Sequence, residues 1–211
     1  MKDYQLFLFD MDGTLVNSEP LKGQAIAKAC AVYGAKVDYH HYQEVMGQNW
    51  GIVTQFFFDK ANISPDINEF NQIFKKHYQA LLLQALQLTP GALQYLTYLQ
   101  LQGRTCGLVT SAAKWMVNDI LQALNLTAMF EVIITKEDVS KHKPDPDAYL
   151  LALNKLSMSP NNTVIFEDSY AGISAGIASG CDVIAIQHEF NINNNLLVAS
   201  KVISDFRELI L

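Results

Sequence analysis

Acidic, hydroxyl and lysine side chains follow four short apolar segments of this 211-residue sequence, at the point where each segment ends. They are Asp10, Asp12, Gly13 and Thr14 after the first segment, Thr110 and Ser111 after the second, Lys143 after the third, and Glu167 and Asp168 after the fourth. Carboxylates can hold a hard cation or attack as nucleophiles, and hydroxyl and ammonium groups can stabilise phosphoryl oxygens. The set therefore suggests metal-assisted chemistry on a phosphate group.

The apolar segments predict the strands of a parallel sheet. They are continuous rather than alternating, which is typical of strands that are buried on both faces. The segments are residues 6–9, 105–109, 132–134, 163–166 and 183–186, and helical patterns lie between them at 91–101, 117–124 and 145–156. This alternation predicts a doubly wound, Rossmann-like α/β fold, in which ligands bind beyond the carboxyl ends of the strands.

A stretch without strand patterns interrupts this alternation between the first and second strands. Residues 25–33, 50–59 and 67–86 all show helical patterns. We therefore predict a core domain formed by residues 1–16 and 88–211, with an all-helical domain inserted at 17–87.

The spacing suggests a role for each acid at the first strand end. Asp10 and Asp168 would bind Mg²⁺, which favours carboxylate oxygens, waters and substrate phosphates. Asp10 would also be the nucleophile and form an aspartyl phosphate. Asp12 points differently from Asp10 if the chain is still extended there, and could act as general acid and base. Clustered carboxylates resist joint ionisation, and a cation removes that penalty.

The remaining polar residues are candidates for phosphate binding. Gly13 and Thr14 follow the acids, and Gly13 permits a tight turn with close approach of backbone N–H groups. Lys143 would offset charge on the phosphoryl oxygens, while the Thr110 hydroxyl and the Ser111 N–H would donate to them. Each motif alone has a structural explanation, such as a helix cap at Thr110. Their shared position after consecutive strands favours the catalytic interpretation.

Four motifs in this order resemble those of the haloacid dehalogenase-like hydrolase superfamily. They are residues 9–15 (FDMDGTL), 109–111 (VTS), 143–146 (KPDP), and 166–169 (FEDS) with 171–173 (AGI). The helical insertion resembles the cap of the subgroup that includes phosphoglycolate phosphatase, sugar-phosphate phosphatases, β-phosphoglucomutase and the true haloacid dehalogenases. The resemblance implies a Mg²⁺-dependent phosphatase that acts on a small phosphorylated metabolite.

The resemblance also implies further site residues. The backbone carbonyl of Asp12 would complete the metal site, and Glu167 would be an ancillary acid near the metal. Related caps contact substrate near the position of Gln48, Asn49 and Trp50, so Gln48 and Trp50 are candidate substrate-binding residues.

Three alternatives to a phosphatase stay open. A dehalogenase resembles a pattern without the second aspartate, so Asp12 favours phosphoryl chemistry. A phosphomutase would use the same residues, but β-phosphoglucomutase has an arginine near the place of Trp50. A binding protein on the same fold predicts a damaged motif, and all four motifs are intact.

Composition excludes several other classes of protein. The net charge of −6 and the pI of about 5.3 argue against nucleic-acid binding. The three cysteines are far apart, which argues against a disulfide framework or structural zinc site. The first apolar run is too short for a signal peptide, and no stretch is long enough to span a bilayer, so we expect a soluble, cytoplasmic protein.

Overall fold

The computed structural model describes residues 2–210. The chain forms two compact units, one comprising Met1–Val16 with Leu88–Leu211 and the other comprising Asn17–Gln87. We refer to them as the core unit and the helical unit.

Within residues 2–210, six parallel strands form one sheet in the core unit, in the order β3-β2-β1-β4-β5-β6. The strands are β1 (Leu6–Phe9), β2 (Thr105–Val109), β3 (Val132–Ile134), β4 (Thr163–Glu167), β5 (Asp182–Ile186) and β6 (Lys201–Ile203). The chain builds outward from β1 on one side and then returns to its other side. The carboxyl ends of β1, β2 and β4 therefore flank the switch point where ligands bind in such sheets. This confirms the predicted α/β fold.

Helices cover both faces of the sheet, as parallel strands with buried faces require. The helices of the core unit are α4 (Ala92–Leu101), α5 (Lys114–Ala123), α6 (Asp147–Leu156) and α7 (Tyr170–Ala178). Beside α4, the Phe9 and Phe166 rings stack at 4.7 Å, and Tyr95 packs edge-on against Phe166. Beside α6 and α7, the core is mainly aliphatic and includes Leu6 and Ile165. These two layers pack against the central strands of the sheet.

The helical unit contains α1 (Glu19–Val32), α2 (Trp50–Ala61) and α3 (Ile67–Ala85). Buried aromatic side chains such as Phe57, Phe70 and Tyr78 form much of its interior. Its function as a cap stays a prediction.

Candidate active site at the carboxyl edge of the sheet

The chain turns sharply after β1. Asp10 extends the sheet through its N–H, which donates to the Phe166 carbonyl oxygen at 2.9 Å. The N–H groups of Leu15 and Val16 then both donate to the Met11 carbonyl oxygen, at 3.0 and 3.1 Å. Within this turn Asp12 forms an isolated β-bridge with Val16. The turn keeps Asp10 and Asp12 at the sheet edge, and both side chains are buried.

Lys143 joins three strand ends through its ammonium group. Its Nζ donates to Asp10 Oδ1 at 2.6 Å, to Glu167 Oε1 at 2.6 Å and to the Val109 carbonyl oxygen at 3.0 Å. These three acceptors match the three hydrogens of an ammonium group. The Tyr149 ring lies 4.9 Å from the same nitrogen. The position of Lys143 beside Asp10 is therefore fixed by direct contacts.

Glu167 is saturated with hydrogen bonds. Besides Lys143, its Oε1 accepts from the Tyr149 hydroxyl at 2.9 Å. Its Oε2 accepts from the Asp168 and Ser169 N–H groups and from the Ser169 hydroxyl, at 3.0 to 3.1 Å. With both oxygens occupied, Glu167 is better suited to holding Lys143 than to binding a cation directly.

Gly172 makes room for this buried carboxylate. A Cβ at residue 172 would lie 1.8 Å from Glu167 Oε1, so any side chain there would displace the Glu167 carboxylate. The glycine at the start of α7 is thus required by the close approach of Glu167 to the helix backbone.

Gly13 likewise leaves room for the Asp168 carboxylate. It has a φ of +76°, and a Cβ there would lie 2.2 Å from Asp168 Oδ2. The Gly13 N–H donates to the Val16 carbonyl oxygen at 2.8 Å, and the fully buried Thr14 directs its hydroxyl at Asp168 Oδ1 at 3.4 Å. In this structure both residues therefore support Asp168, and their contact with phosphate stays a prediction.

The end of β2 supplies a hydroxyl group. The Thr110 side chain is buried, and its oxygen accepts from the Ala112 N–H at 3.0 Å. That bond leaves the hydroxyl proton able to donate. Ser111 is exposed. The arrangement is compatible with the predicted phosphate donors.

The electrostatics of the site favour a bound cation. Burial raises the pKa of Asp10 well above its ordinary value, and Glu167 and Asp168 raise it further against the opposing Lys143 ammonium. Burial would lower the pKa of Lys143, but Asp10 and Glu167 together hold it well above its ordinary value. Lys143 therefore stays charged, whereas the ionised form of Asp10 is disfavoured, and a bound cation would offset that cost.

The donor atoms fit a hard cation. Among the described residues, Asp10, Glu167 and Asp168 each offer an oxygen, and these oxygens lie within 4.8 Å of one another. An all-oxygen set suits Mg²⁺. Hydrogen bonds engage both oxygens of Glu167, whereas Lys143 contacts Asp10 through Oδ1, so the residues best placed as ligands are Asp10 and Asp168.

Comparison with known proteins agrees with this geometry. The sequence profile described as "Haloacid dehalogenase-like hydrolase" matches residues 7–186. The chain belongs to the haloacid dehalogenase-like hydrolases.

Its relatives in this family include phosphatases. Hexitol phosphatase A of Escherichia coli is 34% identical over 184 residues, covering 85% of this chain and 82% of the relative. A phosphorylated carbohydrates phosphatase of Thermotoga maritima is 27% identical over 196 residues, covering 92% and 91%. The crystal structure of CbbY from Rhodobacter sphaeroides with phosphate shares the fold, with a TM-score of 0.87, 24% identity and coverage of 98% and 96%. This chain is a hydrolase that acts on phosphate monoesters.

The predicted site residues of the helical unit make structural contacts within that unit. The Trp50 indole donates to Asn71 Oδ1 at 2.7 Å and packs against Phe74, with ring centroids 4.5 Å apart. Asn49 caps α2 by accepting from the Ile52 N–H, and Gln48 is exposed. Substrate contact by Gln48 or Trp50 stays a prediction.

Sequence reasoning missed two residues at the site of this hydrolase. Tyr149 lies on α6 and holds Glu167, and its apolar neighbours make it indistinguishable from an ordinary core residue. His188 donates to or accepts from Asp168 Oδ2 at 3.0 Å. It comes two residues after β5, so inspection of the fifth strand end would have found it.

Among the described residues, none of the helices combines the length and apolar content needed to cross a membrane.

Proposed function

We propose that the chain is a Mg²⁺-dependent phosphatase that hydrolyses a small sugar phosphate or related monoester through an aspartyl phosphate on Asp10. The observation that carries this proposal is the Lys143 ammonium, held 2.6 Å from Asp10 Oδ1. A buried carboxylate with a fixed cation on one side can approach a phosphate dianion without full charge repulsion.

The first step transfers the phosphoryl group to the enzyme. An Asp10 carboxylate oxygen attacks phosphorus while the bond from phosphorus to the substrate oxygen breaks. Asp12 donates its proton to that leaving oxygen, which departs as an alcohol. Lys143, the Thr110 hydroxyl and the Ser111 N–H stabilise the phosphoryl oxygens as charge moves onto them.

The second step returns the enzyme to its starting state. The Asp12 carboxylate, now deprotonated, takes a proton from a water molecule that attacks phosphorus. The bond between phosphorus and Asp10 breaks, and inorganic phosphate leaves. Asp12 thus regains the proton that it lost in the first step.

Asp10, Asp168 and the Asp12 backbone carbonyl would hold Mg²⁺, with Glu167 nearby as the anchor of Lys143. When bound, the cation would neutralise phosphate charge and reduce the repulsion among the buried carboxylates.

The proposed substrate class is supported by two relatives, which are named hexitol phosphatase A and phosphorylated carbohydrates phosphatase. We assign substrate selection to the helical unit, residues 17–87, acting as a cap. Gln48 and Trp50 are its candidate contacts, because the resemblance to related caps implies substrate contact near these positions.

A substrate panel tests the function. Hexitol phosphates, sugar phosphates and phosphoglycolate would be assayed for phosphate release with Mg²⁺, and again with EDTA. We expect release from at least one sugar phosphate, lost with EDTA and restored by added Mg²⁺. A phosphorylated product without phosphate release would indicate a mutase instead, and binding without turnover would indicate a binding protein.

A further inference from the structure

The loop after β5, residues 187–191, is connected to the candidate active site by a set of specific hydrogen bonds. We call it the β5 loop. His188 Nε2 lies 3.0 Å from Asp168 Oδ2, and its side chain is only 19% exposed. The same nitrogen is 2.9 Å from the place where a Cβ on Gly13 would be. His188 therefore occupies the space that glycine leaves beside Asp168.

The loop itself fixes the tautomer of His188. The Phe190 N–H donates to His188 Nδ1 at 3.2 Å, so Nδ1 is an acceptor without a proton. The proton of a neutral imidazole is then on Nε2, which donates to the Asp168 carboxylate.

Asn191 joins the β5 loop to the strand ends. Its fully buried amide group donates to the carbonyl oxygens of Asp168 and Ile186, both at 2.8 Å. Its Oδ1 accepts from the His188 N–H, also at 2.8 Å. All of these bonds point to a built support that holds His188 against Asp168, because a surface loop would not need a buried amide of this kind.

We propose that His188 is a positioning residue that orients Asp168 for cation binding. This inference rests on the proposed function, in which Asp168 is a Mg²⁺ ligand. A hydrogen bond to Oδ2 restricts rotation of the carboxylate, so Asp168 presents the same oxygen to the cation whether or not one is bound. Loss of such outer-shell partners typically weakens metal affinity by about 10- to 100-fold.

Calorimetric titration of the substrate-free protein with Mg²⁺ tests this inference. His188→Phe keeps a ring but removes the N–H, whereas His188→Gln keeps an N–H donor near the same place. We expect His188→Phe to bind Mg²⁺ about 10- to 100-fold more weakly than the wild type, and His188→Gln to recover most of the affinity. At saturating Mg²⁺, kcat of His188→Phe should return toward that of the wild type.

Two controls separate the possible failures. His40→Phe changes an exposed histidine of the helical unit and should leave Mg²⁺ affinity unchanged. If the wild type and Asp168→Asn bind Mg²⁺ equally or not at all, the proposed metal site is wrong. If Asp168→Asn loses Mg²⁺ but His188→Phe retains wild-type affinity, the inference about His188 is overturned. Equal losses in His188→Phe and His188→Gln would overturn it too, because packing rather than the N–H would then be responsible.

Discussion

The core unit and the helical unit differ in how their buried charged side chains are paired. In the helical unit, Glu19 pairs with Lys22 at 3.3 Å within one turn of α1, so opposite charges balance locally. At the edge of the core sheet, Asp10, Glu167 and Asp168 crowd together beside the Lys143 ammonium. Unbalanced buried charge destabilises a fold. Its presence at one sheet edge therefore marks the part of the molecule that is arranged for chemistry.

Several polar side chains of the helical unit cap helices or form surface ion pairs. Asn49 and Asp66 cap the starts of α2 and α3, and His41 pairs with Glu44 on the surface. Exposed pairs of this kind contribute about 0–1 kcal/mol each. The contrast predicts that substitutions at the carboxyl edge of the core sheet change catalysis. Substitutions in the helical unit should instead change substrate preference, or lower the free energy of unfolding by a small amount.

Replacement of the proposed nucleophile should have the largest effect. In Asp10→Asn, we expect turnover to fall by more than roughly 10⁴-fold, as for nucleophile removal in other covalent enzymes. Because burial and neighbouring acids raise the pKa of Asp10, the ionised carboxylate is disfavoured in the metal-free fold. A neutral amide should therefore leave the metal-free Tm at least as high as in the wild type. Substantial activity in this variant would show that Asp10 is not the nucleophile.

Lys143→Met should be the next most damaging change. It leaves Asp10 and Glu167 without their shared ammonium, so we expect a loss of about 3–5 kcal/mol in the free energy of unfolding. Loss of one charge-stabilising donor should also lower kcat by about 10²- to 10³-fold. Lys141→Met is the matched control in the same loop, because Lys141 is exposed and 3.7 Å from Asp145. Equal effects of the two substitutions, by denaturant titration and kinetics, would contradict the account.

Substitutions of two glycines in α7 distinguish an effect on helix packing from an effect on the position of Glu167. Gly172→Ala would displace Glu167, and Gly176→Ala would crowd the Val183 side chain at 2.8 Å. Both should lower the free energy of unfolding by about 1–3 kcal/mol, the usual cost of overpacking. Only Gly172→Ala should also lower kcat, because it moves the anchor of Lys143. Parallel losses of kcat in the two variants, compared at equal folded fraction, would argue against positioning by Glu167.

Substitutions in the helical unit should have the smallest effect on chemistry. Trp50→Phe removes the hydrogen bond to Asn71, which is worth about 0.5–1.5 kcal/mol of stability. For Gln48→Ala, we expect a lower ratio of kcat/KM for a sugar phosphate to kcat/KM for p-nitrophenyl phosphate. If this ratio of kcat/KM values is unchanged in both variants, Gln48 and Trp50 do not select the substrate.

Much of the fold could be predicted because its central strands are continuous apolar runs. Strand β6, Lys201–Ile203, was missed because it is a three-residue edge strand with an exposed lysine. Helix α7 was not predicted from periodicity, because its Gly, Ala and Ser residues give only a weak helical pattern.

Only those site residues that follow a predicted strand could be identified from the sequence. Position after a strand was sufficient to select Asp10, Lys143 and Asp168. The partners of Glu167 could not be read from the sequence, because they depend on which side chains packing brings to each oxygen. His188 follows the fifth strand and was predictable by the same rule, but its tautomer depends on the loop backbone.

The most direct test of the central claim is to trap the phosphorylated enzyme. Asp12→Asn should slow hydrolysis of the aspartyl phosphate, so the intermediate should accumulate with an activated substrate such as p-nitrophenyl phosphate. After acid quench and borohydride reduction, mass spectrometry of the peptide that contains residue 10 should show the reduced aspartate at that position. Phosphate release with no modified aspartate, or modification at a different residue, would contradict the account.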